Sequence, residues 1–225
     1  MTVNKKVQRA LYGPGIVEVL LGAVLSLALG VVLAGLYLVF KPVAVVDKLP
    51  TADKREEGMV YYVQGEKGSG EGGQLLRKQQ LFLEGRSVVL NEYELNTWTA
   101  SSNSAPKKPD DPKDAKAPAA NELNFHISKG VLQIGLPYTV DLLGLNGAVI
   151  IQAQGTFAKE GDEFVYEPST VYIGSLPAQR IPILLTLLKK KIYSAQELPD
   201  DLSAAWKKLA DVSIEGGLLR LTMPK

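Results

Sequence analysis

The spacing of apolar and polar positions changes several times along the chain, and each change marks an element. From Val19 to Phe40 the run VLLGAVLSLALGVVLAGLYLVF has no polar face and no charged side chain. At about 1.5 Å of rise per residue it covers the ~30 Å hydrocarbon core of a bilayer, which predicts a transmembrane helix over 19–40. Nothing downstream repeats such a run. Residues 41–225 are therefore expected together on one side of the membrane, with 41–57 as a stalk and 58–225 as a single extracytoplasmic domain.

Lys5, Lys6 and Arg9 precede the run. By the positive-inside tendency they hold residues 1–18 in the cytoplasm and send the C-terminal part across the cytoplasmic (inner) membrane. A cleaved signal peptide is the competing reading. The run is longer than the usual ~7–15 residue apolar region, and Tyr37–Pro42 lacks a small-x-small cleavage pattern, which favours an uncleaved signal anchor. Within it Gly22, Ser26, Gly30 and Ala34 recur every fourth residue. Such a row lets another helix approach closely, in a homodimer or with an envelope protein partner, although small residues also line up in membrane helices that do not pair.

Beyond Lys41 the pattern is extended, then charged, then strand-like at Met59–Gln64, then glycine-rich. Leu75–Leu83 sets leucines among polar residues, and Ser87–Leu90 resumes a strand pattern. Asn91 with Glu94 three residues on forms a capping-box start for a short helix through Leu95 and Trp98. Residues 101–121, rich in Pro, Lys, Asp and Ala, bury too little to offset ordering entropy and are expected as a disordered insertion within one domain.

Four strands follow, Leu123–Ile127, Val131–Leu136, Ala148–Ala158 and Glu163–Ile173, with turns expected at Lys129-Gly130, Asn146-Gly147 and Gly161-Asp162. Ile181, Leu184, Leu185, Leu188 and Ile192 then take helical spacing, with Ile183 and Leu187 adding apolar area on a second side. A further helix starts near Pro199 and carries Leu202, Ala205, Trp206 and Leu209 on one stripe, and the chain closes as a hairpin around Gly216-Gly217.

Composition narrows the chemistry. The chain has no cysteine, so thiol nucleophiles, disulfides and thiolate metal sites are excluded, and its single histidine, His126, is expected as a solvated strand residue beside Asn124 and Ser128. Net charge is +1 with both signs interspersed, which offers no basic stripe for nucleic acid. The tight basic run Lys189–Lys191 suits a helix C-terminus or, alternatively, anionic lipid headgroups. Glycine-rich phosphate loops are absent, no metal ligand set or general acid, base or nucleophile stands out, and no cofactor is expected, so an enzyme is not the expected reading.

Apolar residues stand in unusual places instead. Leu142, Leu143 and Leu145 flank the expected Asn146-Gly147 turn, and the segment from Ile181 through Leu184, Leu185 and Leu188 carries more apolar area than one core-facing stripe needs. These seven residues are the candidate lining of a groove for membrane lipid. Completion of an ordinary core is the alternative.

Three stretches, VVLNEYELNTW (Val88–Trp98), FVYEPSTVYIGSLP (Phe164–Pro177) and ELPDDL with LADVSIEGGLLRL (Glu197–Leu221), resemble the YpmS and LmeA-like families of membrane-anchored envelope proteins. Those families are similar to tubular lipid-binding (TULIP-type) domains, and the Pro/Lys/Asp insertion departs from them. The resemblance implies a non-catalytic module for lipid or another hydrophobic ligand. Together with the pattern it gives the expected fold class: α+β, an N-terminal transmembrane helix followed by a curved antiparallel sheet packed on two or three helices. A scaffold binding an envelope protein partner is the alternative function.

Overall fold

The computed structural model describes residues 13–66, 72–102, 123–142, 145–181, 186 and 200–224. The chain divides into two compact units at residue 40. In the first, helix α1 (Ile16–Phe40) starts where Gly15 O accepts from the N–H groups of Glu18 and Val19 at 2.9 and 3.0 Å. Its most apolar window has a mean hydropathy of 2.6, and the helix is long and apolar enough to cross a membrane. None of its side chains is buried, and the apolar residues run round the whole axis rather than along one core-facing stripe. Gly22 and Gly30 have open space where a Cβ would stand, so the row of small residues is uncovered.

The second unit begins at Phe40 and is α+β. Strands β1 (Ala44–Val46) and β2 (Tyr61–Val63) form a parallel ribbon. Residues 41–57, expected as a stalk, thus contribute a strand to the folded unit. Helix α2 (Gly72–Leu83), strand β3 (Val88–Asn91) and helix α3 (Glu92–Ser102) follow. An antiparallel meander then runs in chain order through β4 (Asn124–Ser128), β5 (Val131–Leu142), β6 (Leu145–Glu160), β7 (Glu163–Ile173) and β8 (Leu176–Pro177). Helix α4 (Asp200–Trp206) leads into the hairpin β9 (Asp211–Glu215) and β10 (Leu218–Thr222). Because β10 also pairs with β3, the last strand is the centre of a three-stranded sheet.

One core joins these parts. Phe82 of α2, Val88 and Leu90 of β3, and Leu95 of α3 meet Ile127, Leu132 and Phe164 of the meander and Ala205, Leu209, Val212, Leu219 and Leu221 of the C-terminal segment. The stripe predicted on α4 lies in it, with Ala205 and Leu209 buried and Trp206 donating from Nε1 to Phe164 O at 2.7 Å. Burying apolar surface of this kind supplies about 25 cal/mol per Å² and is what orders the helices against the sheets.

Two expected turns form as two-residue hairpins with both central residues at positive φ: Lys129-Gly130 at 52° and 77°, and Gly216-Gly217 at 58° and 80°. Asn146-Gly147 does not turn. Asp141 pairs with Asn146, Val140 with Gly147 and Leu142 with Leu145, so the connection falls between Leu142 and Leu145. Continuing the ladder retains cross-strand hydrogen bonds that a turn at Asn146 would forfeit. The glycine serves a close approach instead: a Cβ on Gly147 would stand 3.1 Å from Cδ1 of Phe40.

Leu75–Leu83 is helical, with Leu75 and Phe82 buried on one side and Leu76 outside. Ser101 and Ser102, expected at the start of the insertion, belong to α3. The rest of that insertion, and Lys189–Lys191, lie outside the described residues.

Candidate functional site

The five-stranded sheet has two unlike faces. Ile127, Leu132, Ala153 and Val171 point into apolar clusters, whereas Asn124, Gln133 and Gln152 are buried polar residues on the other face. That second face is roofed by the β1–β2 ribbon rather than by water. Tyr62, fully buried, lies where a Cβ on Gly135 would overlap its ring, and its hydroxyl donates to Asn124 Oδ1 at 2.8 Å. Gln133 Nε2 donates to Val63 O at 3.0 Å, and Gln154 Nε2 donates to Gln133 Oε1 at 3.1 Å, so a chain of amides ties sheet to ribbon. Burial pushes the Tyr62 phenol well above its ordinary value, and the nearby Glu92 charge adds to the rise.

Helix α3 positions the groups along the outer edge of β4. Its start is the predicted capping box: Glu94 N–H donates to Asn91 Oδ1 at 2.8 Å, and Asn91 N–H donates to Glu94 Oε2 at 2.9 Å. Glu94 also accepts from Lys78 Nζ at 2.5 Å. One turn on, Asn96 faces Phe125 and exchanges two hydrogen bonds with its backbone, at 2.7 and 2.9 Å. Glu92 accepts from Ile127 N–H at 2.9 Å and from Glu66 N–H at 2.7 Å. These side chains occupy backbone groups that an edge strand otherwise leaves open to another strand.

His126 stands between this edge and a cleft. Its Nδ1 is buried 2.9 Å from Glu92 Oε2, in a geometry that does not form a hydrogen bond. The side chain is 22% exposed, which corrects the expectation of a solvated histidine. Alternation placed it on the correct face, beside Asn124 and Ser128, but that face is covered by the ribbon.

The cleft holds about 420 Å³ and opens between the ribbon and the sheet. Leu49, Tyr61, Val63 and Val131 give it apolar walls, and His126, Gln133 and Gln154 give it a polar floor. Lys48 and Lys129 are exposed lining residues, with Asp47 beside them. The volume falls in the range of small-molecule sites. Ser128 also lines the cleft. Among the described residues no cluster of His, Asp and Glu is arranged to hold a metal ion.

Of the apolar residues singled out in the sequence, Leu142, Leu145 and Ile181 are described, and none of these three lines the cleft. Leu142 and Leu145 form the last pair of the β5–β6 hairpin, and Ile181 follows a short 3-10 turn (Ala178–Arg180) and is 40% exposed. Leu143, Leu184, Leu185 and Leu188 lie outside the described residues. The cleft was missed because its walls come from segments some seventy residues apart; the one local signal was the polar alternation of Asn124, His126 and Ser128. Comparison with known proteins gives no matching family model, no similar characterised protein and no similar solved structure.

Proposed function

We propose that the chain is a membrane-anchored envelope protein whose extracytoplasmic domain binds a lipid or another amphipathic ligand without transforming it. The observation that carries this reading is the cleft itself. It sets apolar walls at Leu49, Tyr61, Val63 and Val131 against amide and imidazole groups at Gln133, Gln154 and His126. An acyl or other apolar segment suits the walls, a polar head suits the floor, and the ammonium groups of Lys48 and Lys129 favour an anionic head. Helix α1 keeps such a domain beside its ligand source, as a single-pass anchor with residues 1–18 in the cytoplasm. The register shift at Gln154/Gly155 supports the curvature that the TULIP resemblance implies.

The reading is tested by native mass spectrometry with lipid extraction on residues 41–225, with and without Val131→Trp, which fills the cleft. Lipid bound to the parent and lost from the folded variant supports it. A ligand-free parent that takes up no added phospholipid overturns it in favour of a scaffold for a protein partner. Retention of α1 is read from the mass of the chain in the membrane fraction, since a cleaved signal sequence would leave it shorter.

A further inference from the structure

We infer that Lys129 is the residue by which the cleft selects a lipid with an anionic head, and that the β4–β5 turn gives up stability to hold an ammonium group there. This rests on the lipid-binding reading proposed above and names the head that the site takes.

Lys129 has a backbone that suits other residue types. Its φ is 52°, and among the described residues it is the one non-glycine at positive φ. In that left-handed region the Cβ crowds the following carbonyl oxygen, so glycine, and after it asparagine or aspartate, enter it most readily. The hairpin imposes the conformation: Ser128 pairs with Val131, which leaves Lys129-Gly130 as a two-residue turn with φ values of 52° and 77°. Turns of this kind favour Asn-Gly, Asp-Gly or Gly-Gly. The chain supplies its own comparison in the β9–β10 hairpin, where Glu215 pairs with Leu218 and the same two positions, at 58° and 80°, are both glycine. That relaxed turn lines no part of the cleft, whereas the turn that lines it carries lysine at a position other residues fill at less cost.

Charge gives the lysine a use. Asp47, Lys48 and Lys129 are the carboxylate and ammonium groups lining the cleft. Asp47 and Lys48 are adjacent and offset one another, so the excess positive charge there is that of Lys129. Glu92, behind His126, already accepts from the Ile127 and Glu66 N–H groups. The apolar walls at Leu49, Tyr61, Val63 and Val131 commit the site to a lipid rather than to free phosphate. Lys129 then distinguishes an anionic head such as phosphatidylglycerol from the zwitterionic head of phosphatidylcholine. Because its side chain is exposed, the expected preference is about two- to fivefold, the factor that matches an exposed ion pair.

The full chain is reconstituted in phosphatidylcholine vesicles with a trace of diazirine-bearing phosphatidylglycerol or phosphatidylcholine, matched in acyl chain. Adducts on Leu49, Tyr61 and Val131 are counted relative to those on α1. The parent is expected to give about two- to fivefold more cleft adduct with phosphatidylglycerol. Lys129→Asn is expected to bring the two lipids to parity while raising the thermal midpoint of the full chain in detergent by about 2–4 °C. A purely structural role would move the midpoint and leave the preference. Lys129→Arg keeps both the charge and the backbone cost and is expected to keep the preference and the midpoint. Lys208→Asn removes the same charge from an exposed site outside the cleft lining and is expected to leave the preference unchanged. Equal cleft yields from both lipids in the parent, or a preference that Lys129→Asn leaves intact or Lys208→Asn lowers as much, overturn Lys129 as the selecting residue and leave lipid binding standing. A lower midpoint for Lys129→Asn overturns the exchange of stability for charge. Displacement of the cleft adducts by millimolar glycerol phosphate overturns the lipid assignment in favour of a free phosphate compound. Cleft adducts from neither lipid overturn the binding reading and the inference together.

Discussion

Asn96 and Phe125 exchange two hydrogen bonds: the Phe125 N–H donates to Asn96 Oδ1 at 2.7 Å, and Asn96 Nδ2 donates to Phe125 O at 2.9 Å. The side chain thus behaves as a short piece of neighbouring strand along the edge of β4. Asn96→Ala leaves both backbone groups without a protein partner, and each such loss costs about 1–3 kcal/mol. Urea unfolding of residues 41–225 is expected to show a lower midpoint, and the opened edge is expected to raise self-association with protein concentration.

Tyr62 and Gly135 make the roof of the cleft fit its floor. A methyl group at Gly135 would overlap the Tyr62 ring, so Gly135→Ala is expected to destabilise the domain by about 1–3 kcal/mol, the usual cost of overpacking. In a Tyr62→Ala background the same change should cost far less. A double-mutant cycle on unfolding free energies measures the difference, and strict additivity would count against the contact.

Alkaline pH acts on the same tyrosine. With its ordinary value at 10.0 and burial pushing the folded phenol upward, the native state keeps a proton that the unfolded chain gives up. The contribution is fully present below pH 10 and is lost as pH rises above it, with a slope of at most about 1.4 kcal/mol per pH unit for this group. Tyr166, also raised by burial, adds to the same trend. Tyr62→Phe is expected to lower stability at neutral pH and to flatten the decline between pH 10 and 11, measured by denaturant titration across that range.

Glu94 closes the capping box and pairs with Lys78. Glu94→Ala is expected to cost about 1–3 kcal/mol, from the lost cap and the charge-assisted bond together. Glu94→Gln, which retains an acceptor for Asn91 N–H, is expected to cost less. Thermal unfolding followed by circular dichroism ranks the two variants.

What the sequence made legible is what neighbours in the chain decide. Asn91 and Glu94 are three residues apart, and Lys129-Gly130 and Gly216-Gly217 carry their backbone geometry in their own residue types, so each formed where expected. Glu163–Ile173 is a strand with the predicted limits for the same reason. Asn146-Gly147 has the composition of a turn but is held in the ladder by Val140 and Asp141, which a local reading does not weigh. Partners far apart in the chain were invisible: Val88 with Leu221 in the three-stranded sheet, Asn96 with Phe125, Tyr62 with Gly135. His126 shows both sides, since alternation fixed its face but not the ribbon that covers it. The cleft depends on such a long-range covering and therefore came only with the fold.

The most direct test of a lipid-binding cleft is photo-crosslinking in place. The full chain in proteoliposomes is irradiated with a phospholipid bearing a diazirine on its acyl chain, and the adducts are mapped by peptide mass spectrometry. The account predicts adducts on Leu49, Tyr61 and Val131 in addition to those on α1, and their loss in Val131→Trp. Adducts confined to α1, with none in the cleft, would contradict it.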